Sequence, residues 1–316
     1  MRLAVMGAGA VGGSVVELAA DYGHTVTAFS DSQSAAIDPD GLDTAAVLDR
    51  KAADGIVGDE APEDALQAPY DVLVEATPTT LGDAEPGFGH LKTALQRDRH
   101  VVLANKGPVA ERYADVRQLE AESEGTVLFE ATVGGAMPVL STIDDFDPEH
   151  ISAVRGVLNG TANFILSRMA AEGLGYEHVL AEAQDLGVAE ADPTFDVDGT
   201  DAALKGVIVA NVLADGGREY TLEDAEVEGI QDIAGSALEL AQEEGRTIRL
   251  IAEVAEGEVR VGPRLVPENV PLAPSGTRNI VQLETEHAGR LNISGRGAGG
   301  PETASAVLAD VGRLGQ

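Results

Sequence analysis

The stretch that most constrains the fold is the amino terminus, MRLAVMGAGAVGGSVVELAADYG. An apolar run meets Gly7-Ala8-Gly9-Ala10-Val11-Gly12 and passes at once into helical spacing. This is strand, tight turn and helix, with the pattern G-x-G-x-x-G at the joint. The glycines allow the turn, close backbone approach to a pyrophosphate and close helix–strand packing. The helix start then offers free N–H groups and a partial positive charge to an anion. A glycine-rich turn without a ligand is the alternative. The βαβ context favours dinucleotide binding through Gly7, Gly9, Ala10, Val11 and Gly12.

The chain continues in the same rhythm. HTVTAFSDS and YDVLVEAT read as strands on either side of a polar stretch containing Pro and Gly. A helix around 91–97, the strand HVVLANK, a helix near 114–124 and the strand TVLFEAT follow. Strands alternating with helices predict a parallel, doubly wound α/β sheet of the Rossmann type over residues 1–131. Beyond that point GTANFILSRMAAEG, EHVLAEAQDLG, DAALKGVIVANVLADGG and SALELAQEEG read as helices. TIRLIAEVAEGEVRVGPRLV alternates like a hairpin turning at Glu256-Gly257, and RLNISG is a later strand. Residues 132–299 are therefore expected to form a second, α+β domain for substrate binding and dimerisation. The terminal helix, 300–316, is expected to pack back on the first domain.

Charge and cysteine content narrow the function. There are 54 acidic against 21 basic residues, a net charge of −33, and only four of the basic residues are lysines. Such self-repulsion is tolerable where the Debye length shrinks to roughly 3 Å, as in about 1 M salt. With the acids spread along the whole chain, this reads as adaptation to a salty cytosol. No basic stripe exists to neutralise phosphates, so no nucleic-acid partner is expected. The absence of cysteine excludes disulfides and thiolate chemistry. The six histidines, 24, 90, 100, 150, 178 and 287, show no metal-ligand spacing. No signal peptide and no apolar run of the roughly 18 residues needed to cross a bilayer is present, so a cytoplasmic protein with no membrane partner is expected.

With lysine so scarce, each one is informative. Lys106, in LANKGPV, falls just past a predicted parallel strand, where ligands bind in such sheets. Lysine can give up a proton where arginine cannot; a surface or helix-capping lysine is the alternative. Asp201 and Lys205 are four apart on one helix face, inside the otherwise apolar Ala202–Val209. A partly buried pair fits this setting better than a solvated one. A lysine beside a carboxylate there is a proton donor suited to a carbonyl receiving hydride. Asp31, about 20 residues after the glycine loop, is placed to accept the ribose hydroxyls of NAD. Ser30, Ser32, Arg50 and Lys51 could instead serve a 2′-phosphate, so the pattern leaves NAD and NADP both open.

Six blocks, GAGAVGG, LANKGP, FEATVGGAMP, LNGTANFIL, AQDLGVAEADPTFDVDGTDAALK and GRGAGGPETASAV, resemble in kind and order those of the homoserine dehydrogenases. The resemblance runs over essentially the whole chain. It implies the NAD(P)-linked, reversible reduction of L-aspartate 4-semialdehyde to L-homoserine, on the way to threonine and methionine. It assigns Lys205 as the acid/base, Lys106 between cofactor and substrate, and Glu190, Asp196 and Asp201 to the substrate, with Gly160 and Thr161 nearby. Thr77, Gly187 and Gly297 match further cofactor contacts. A monovalent cation such as sodium is implied at Glu130 and the backbone carbonyls of Val133, Gly135 and Met137. One carboxylate plus carbonyls suits such a hard ion; a Glu130 satisfied by backbone N–H groups is the alternative.

The resemblance also implies a homodimer. Without a regulatory domain after the terminal helix, no threonine inhibition through such a domain is expected. Two other readings share the frame: an aspartate or diaminopimelate dehydrogenase, and a non-catalytic NAD-sensing regulator. Neither requires Lys106 and Lys205 together.

Overall fold

The computed structural model describes residues 1–214 and 216–315. Asp215, inside a predicted helical stretch, and Gln316, the last position of the predicted terminal helix, lie outside the described residues. The chain forms two compact units: Met1–Ala136 with the C-terminal stretch from Ala298, and Met137–Gly297.

The first unit is built on β1 (Arg2–Met6), β2 (Thr25–Ser30), β3 (Ala35–Ile37), β4 (Val72–Glu75), β5 (His100–Leu103) and β6 (Val127–Leu128). They lie in the order β3-β2-β1-β4-β5-β6. All neighbours are parallel except β3, which runs antiparallel to β2. Strands covered on both faces read as apolar runs, and Leu3, Val5, Phe29, Val72, Val74 and Val102 are buried in one core. The sheet reverses direction of growth between β1 and β4, so the glycine loop after β1 and the loop after β4 open at the switch point. The helix Gly300–Arg313 packs along the helix Ala10–Leu18 and adds Val307, Leu308 and Val311 to that core.

Three local readings are corrected. The stretch read as polar and irregular contains the helix Thr44–Asp54, which buries no residue and is capped by the Asp43 side chain accepting from the Ala46 N–H. Only Val47 and Leu48 of it pack against the core, both partly buried, so its apolar face is short. The helix expected at 91–97 begins earlier and spans Gly87–Leu95. TVLFEAT pairs only at Val127 and Leu128, because Glu130 already heads the short helix Ala131–Gly134. That helix packs against the terminal one, and the first unit runs to Ala136 rather than to 131.

The second unit has β7 (Ile151–Val157), β8 (Ala225–Val227), β9 (Arg246–Ala255), β10 (Glu258–Pro267), β11 (Arg278–Thr285) and β12 (Gly289–Arg296). Their order is β12-β11-β7-β9-β10-β8, antiparallel except for β8 beside β10. The β9–β10 hairpin turns at Glu256 and Gly257, both with positive φ, as a two-residue turn of this hand requires. The helices Gly160–Glu172, Thr200–Ala214 and Gly235–Glu243 pack on the sheet. Thr200–Ala214 is buried continuously from Asp201 to Asn211. A helix buried on all sides forces its two charged residues, Asp201 and Lys205, to find partners inside the protein.

Candidate functional site

In the first unit the glycine loop has the shape a pyrophosphate needs. Gly7 holds φ +102°, and a Cβ there would strike the Ala76 carbonyl at the end of β4. At Gly12 a Cβ would overlap the Gly7 carbonyl, so helix and loop touch only because it is absent. Gly9 differs: a Cβ would meet nothing within 4 Å, so its bareness leaves open space beside the loop. The helix begun by Ala10 and Val11 has no side-chain cap and no acid in its first turn. Its first N–H groups and dipole therefore face that space. These residues fit a dinucleotide.

Asp31 follows β2, and its carboxylate is nearly buried. Oδ1 accepts from the Gln33 and Ser34 N–H groups, both at 2.7 Å, and Oδ2 accepts from Lys51 Nζ at 2.7 Å. Burial would raise its pKa, but Lys51 and the two amides outweigh that and leave it below the ordinary carboxylate value. Lys51 comes from the unforeseen helix and also donates to the Gly55 carbonyl. Arg50, by contrast, pairs with Asp59, and the Ser30 hydroxyl points into the interior, where it donates to Met6 Sδ.

At the ends of β4 and β5 lies a network that the sequence reading missed. Glu75 is fully buried. Its Oε1 accepts from the Thr77 N–H at 3.0 Å, from the Thr77 hydroxyl and from Asn105 Nδ2 at 3.4 Å. Its Oε2 lies 2.7 Å from His90 Nδ1. Asn105 also donates to Thr77 Oγ1 and caps the Gly107 N–H with its Oδ1. Lys106, half-buried at the head of the next helix, donates its backbone N–H to Thr79 Oγ1 at 3.4 Å. Glu75 thus ties together the two loops that carry Thr77 and Lys106. A carboxylate inside a parallel strand was the available signal, since such a residue must be paired.

Glu130 is 4% exposed. Its N–H donates to Asp310 Oδ2 at 2.9 Å, and Arg313 reaches Asp310 at 2.6 Å and Glu130 at 3.7 Å. Burial, with the charge of Glu130 adding to it, pushes the Asp310 carboxyl up to about 6. Val133 and Gly135 follow in the same unit, with Val133 donating to the Glu130 carbonyl; Met137 opens the second unit.

In the second unit Lys205 and Asp201 are 6% and 7% exposed, and Lys205 Nζ lies 2.7 Å from Asp201 Oδ2. Nζ also donates to the Leu158 carbonyl at 2.6 Å, and Asn279 Nδ2 donates to that same carbonyl at 2.8 Å. Asn159 Nδ2 donates to Asp201 Oδ2 at 2.9 Å and to Asp196 Oδ1 at 2.6 Å, while its Oδ1 caps the helix at the Ala162 N–H. Gly160 and Thr161 form the first turn of that helix, and the Thr161 hydroxyl donates to the Val188 carbonyl. Lys205, Asp201 and Asp196 are therefore brought together with the head of this helix.

Glu190 and Gly187 are exposed, and the Glu190 carbonyl accepts from Gln184. Gly297 stacks against the Asn279 side chain. The other two aspartates of the segment shape loops: Asp192 accepts from the Thr194 N–H, and Asp198 accepts from Gln231. Asn159 and Asn279 were not singled out by sequence. An asparagine just before a predicted helix is a capping signal that would have marked Asn159.

Comparison with known proteins bears on this arrangement. Residues 138–311 match the family model for homoserine dehydrogenase, and residues 1–78 match that for glutamate/leucine/phenylalanine/valine dehydrogenase. The chain is 39% identical to the homoserine dehydrogenase of Methanocaldococcus jannaschii, over 98% of this chain and 97% of that one. It is 38% identical to an NAD(+)-dependent homoserine dehydrogenase of Pseudomonas canavaninivorans, covering 76% and 70%. A crystal structure from Archaeoglobus fulgidus superposes with a TM-score of 0.92 at 40% identity, covering 99% of both chains. A hyperthermophilic archaeal homoserine dehydrogenase in complex with NADPH superposes with a TM-score of 0.85 at 26% identity, covering 99% and 96%.

Proposed function

Since the chain belongs to the homoserine dehydrogenase family, we propose that it reduces L-aspartate 4-semialdehyde to L-homoserine, reversibly, with Lys205 as acid/base. It is an NAD(P)-dependent oxidoreductase of amino-acid biosynthesis. The observation that carries the assignment of Lys205 is its burial against Asp201 in an otherwise apolar helix. The match of residues 1–78 to another dehydrogenase family spans only the glycine-loop part of the chain, so it supports the shared frame and not a different substrate.

The first unit serves as the dinucleotide-binding domain, with Gly7, Gly9, Ala10, Val11 and Gly12 at the pyrophosphate and Thr77 and Lys106 as further contacts; the family resemblance adds Gly187 and Gly297, which belong to the second unit. Bound nicotinamide supplies or accepts the hydride. The second unit binds substrate. Lys205 gives a proton to the carbonyl oxygen as negative charge develops there, and takes it back in the reverse direction. Asp201 and the Leu158 carbonyl fix Nζ, and Asn159 fixes Asp201 and Asp196. Glu190 and Asp201 hold the ammonium and hydroxyl ends. The N–H groups of Gly160 and Thr161, at the head of a helix, suit the carboxylate.

Three further parts belong to the same reading. Sodium or a similar ion at Glu130, with the carbonyls of Val133, Gly135 and Met137, would relieve the repulsion of Glu130 and Asp310. A homodimer is supported by the exposed large apolar side chains: six (Phe146, Leu186, Phe195, Val227, Leu240 and Leu265) belong to the second unit and two (Tyr22 and Leu81) to the first. A salty cytoplasm fits the charge of −33; no described helix is long and apolar enough to cross a membrane. The test is homoserine-dependent formation of reduced nicotinamide in molar KCl at alkaline pH, with NAD and NADP compared. Turnover with homoserine is expected; none with either cofactor would overturn the proposal.

A further inference from the structure

The fold gathers three metal-ligating side chains far from the Lys205 site. His150, Glu286 and His287 present donor atoms that all lie within 4.8 Å of one another. His150 Nδ1 is 3.1 Å and His287 Nε2 is 3.6 Å from Glu286 Oε2, and the two imidazole rings are 5.3 Å apart. Sequence spacing could not show this, because His150 precedes β7 whereas Glu286 and His287 occupy the turn between β11 and β12.

The backbone holds both segments in place. β7 and β11 pair antiparallel, and a register shift between Glu284 and Thr285 sets Thr285 opposite Ile151. The Glu286 N–H then donates to the His150 carbonyl at 2.9 Å. The turn itself is closed by Thr285, whose hydroxyl donates to the Gly289 carbonyl and accepts from the Ala288 N–H. Little rearrangement is needed to converge the donors on one ion about 2.0–2.2 Å from each.

We propose that His150, Glu286 and His287 form a surface site for a divalent transition-metal ion, Zn²⁺ being the best match. Two imidazoles and one carboxylate are the ligands of a borderline ion, and hard cations such as Mg²⁺ or Ca²⁺ call for an all-oxygen set. Three protein ligands leave the fourth tetrahedral position to water. The site lies beyond the start of β7, whereas Leu158, the partner of Lys205, follows its end. Seven strand residues at about 3.3–3.4 Å each separate them by more than 20 Å. The ion therefore acts as a clip between the β7 entrance and the β11–β12 turn, and catalysis does not depend on it.

The test uses the full chain stripped with a chelator and held in molar KCl, which screens nonspecific attraction to the acidic surface. Zn²⁺ is titrated calorimetrically, and Co²⁺ is followed by its visible absorption. One equivalent is expected per chain, with a tetrahedral Co²⁺ spectrum and a rise in melting temperature. His150→Ala/His287→Ala should weaken binding at least tenfold and abolish that rise. His178→Ala, which removes another exposed histidine, should change neither. Equal binding by the double variant and the parent chain, or no saturable binding by the parent, would overturn the proposal. Competition by Mg²⁺ at matched concentration would also overturn it.

Discussion

Two lysine–aspartate pairs have the same length, 2.7 Å, and opposite settings. In Asp31–Lys51 the lysine is 30% exposed and the partners come from a strand end and a separate helix, twenty residues apart. In Asp201–Lys205 both side chains are 10% exposed or less and sit one helical turn apart. A part-exposed pair contributes about 0–1 kcal/mol. Removing one member of a buried pair costs about 3–5 kcal/mol, because the other charge stays behind in a poor solvent. The first pair can be rearranged cheaply by a ligand that competes for either partner. The second is fixed, which suits a group that must present a proton at one place.

The largest expected effect comes from breaking the buried pair. Lys205→Ala should lower kcat at least about 10²-fold, the scale for losing an acid/base group. Cofactor affinity, measured by quenching or calorimetry, should hardly change. A variant that binds cofactor normally and retains full kcat would remove Lys205 from the mechanism. Asn159 donates to Asp201, so some tolerance of the orphaned carboxylate is built in; a melting curve checks that the variant is folded.

Asn159 comes next, as the residue that distinguishes the buried pair from an ordinary helix-surface pair. Asn159→Ala removes the cap, worth about 0.5–2 kcal/mol, together with both donors to Asp196 and Asp201. We expect kcat to fall about tenfold, equivalent to about 1.4 kcal/mol. Asn159→Asp keeps the capping oxygen but sets a third carboxylate against two others. It should recover much of the melting temperature and none of the activity. If both recover together, Asn159 matters only as a cap.

The comparison also explains what could be read from sequence. The glycine loop is contiguous and made by backbone, so its pattern was visible in Gly7–Gly12, and the apolar strands of the parallel sheet were visible for the same reason. Asp201 and Lys205 were legible because helical periodicity alone puts them on one face. Lys51 was named only as able to serve a 2′-phosphate, since the helix that carries it buries no residue and meets the core only through the partly buried Val47 and Leu48. β7 and β11 were missed outright. With them went the side chains that join distant segments: Asn159, Asn279, and the meeting of His150 with Glu286. Such contacts depend on strand order, which local patterns do not encode.

The part-exposed pair is sharpened by Asp31→Ser. Losing the carboxylate releases Lys51 from its partner at 2.7 Å and removes a negative charge from the place where a 2′-phosphate would lie. The ratio of NADP- to NAD-linked kcat/KM should rise several-fold, up to about tenfold or 1.4 kcal/mol. An unchanged ratio would place the ribose away from Asp31. Adding Lys51→Ala should cancel the gain, because the phosphate then loses the cation.

The smallest effect separates the charge of Asp31 from its shape. Its folded pKa lies below the ordinary value of 3.8, since Lys51 and the Gln33 and Ser34 amides outweigh the burial that would raise it. A depressed carboxylate pKa contributes stability that is fully present above the unfolded value and is lost as pH falls through the folded one. Asp31→Asn keeps the shape and one acceptor oxygen while removing the charge. It should melt slightly below the parent at neutral pH, by no more than about 1 kcal/mol for so exposed a lysine partner. The gap should close as both proteins are taken below about pH 4. Comparing the two proteins cancels the titration of the many other carboxylates, which act on both alike. A gap that stays constant with pH would mean that Asp31 is held for its hydrogen-bonding geometry, with its charge contributing nothing to stability.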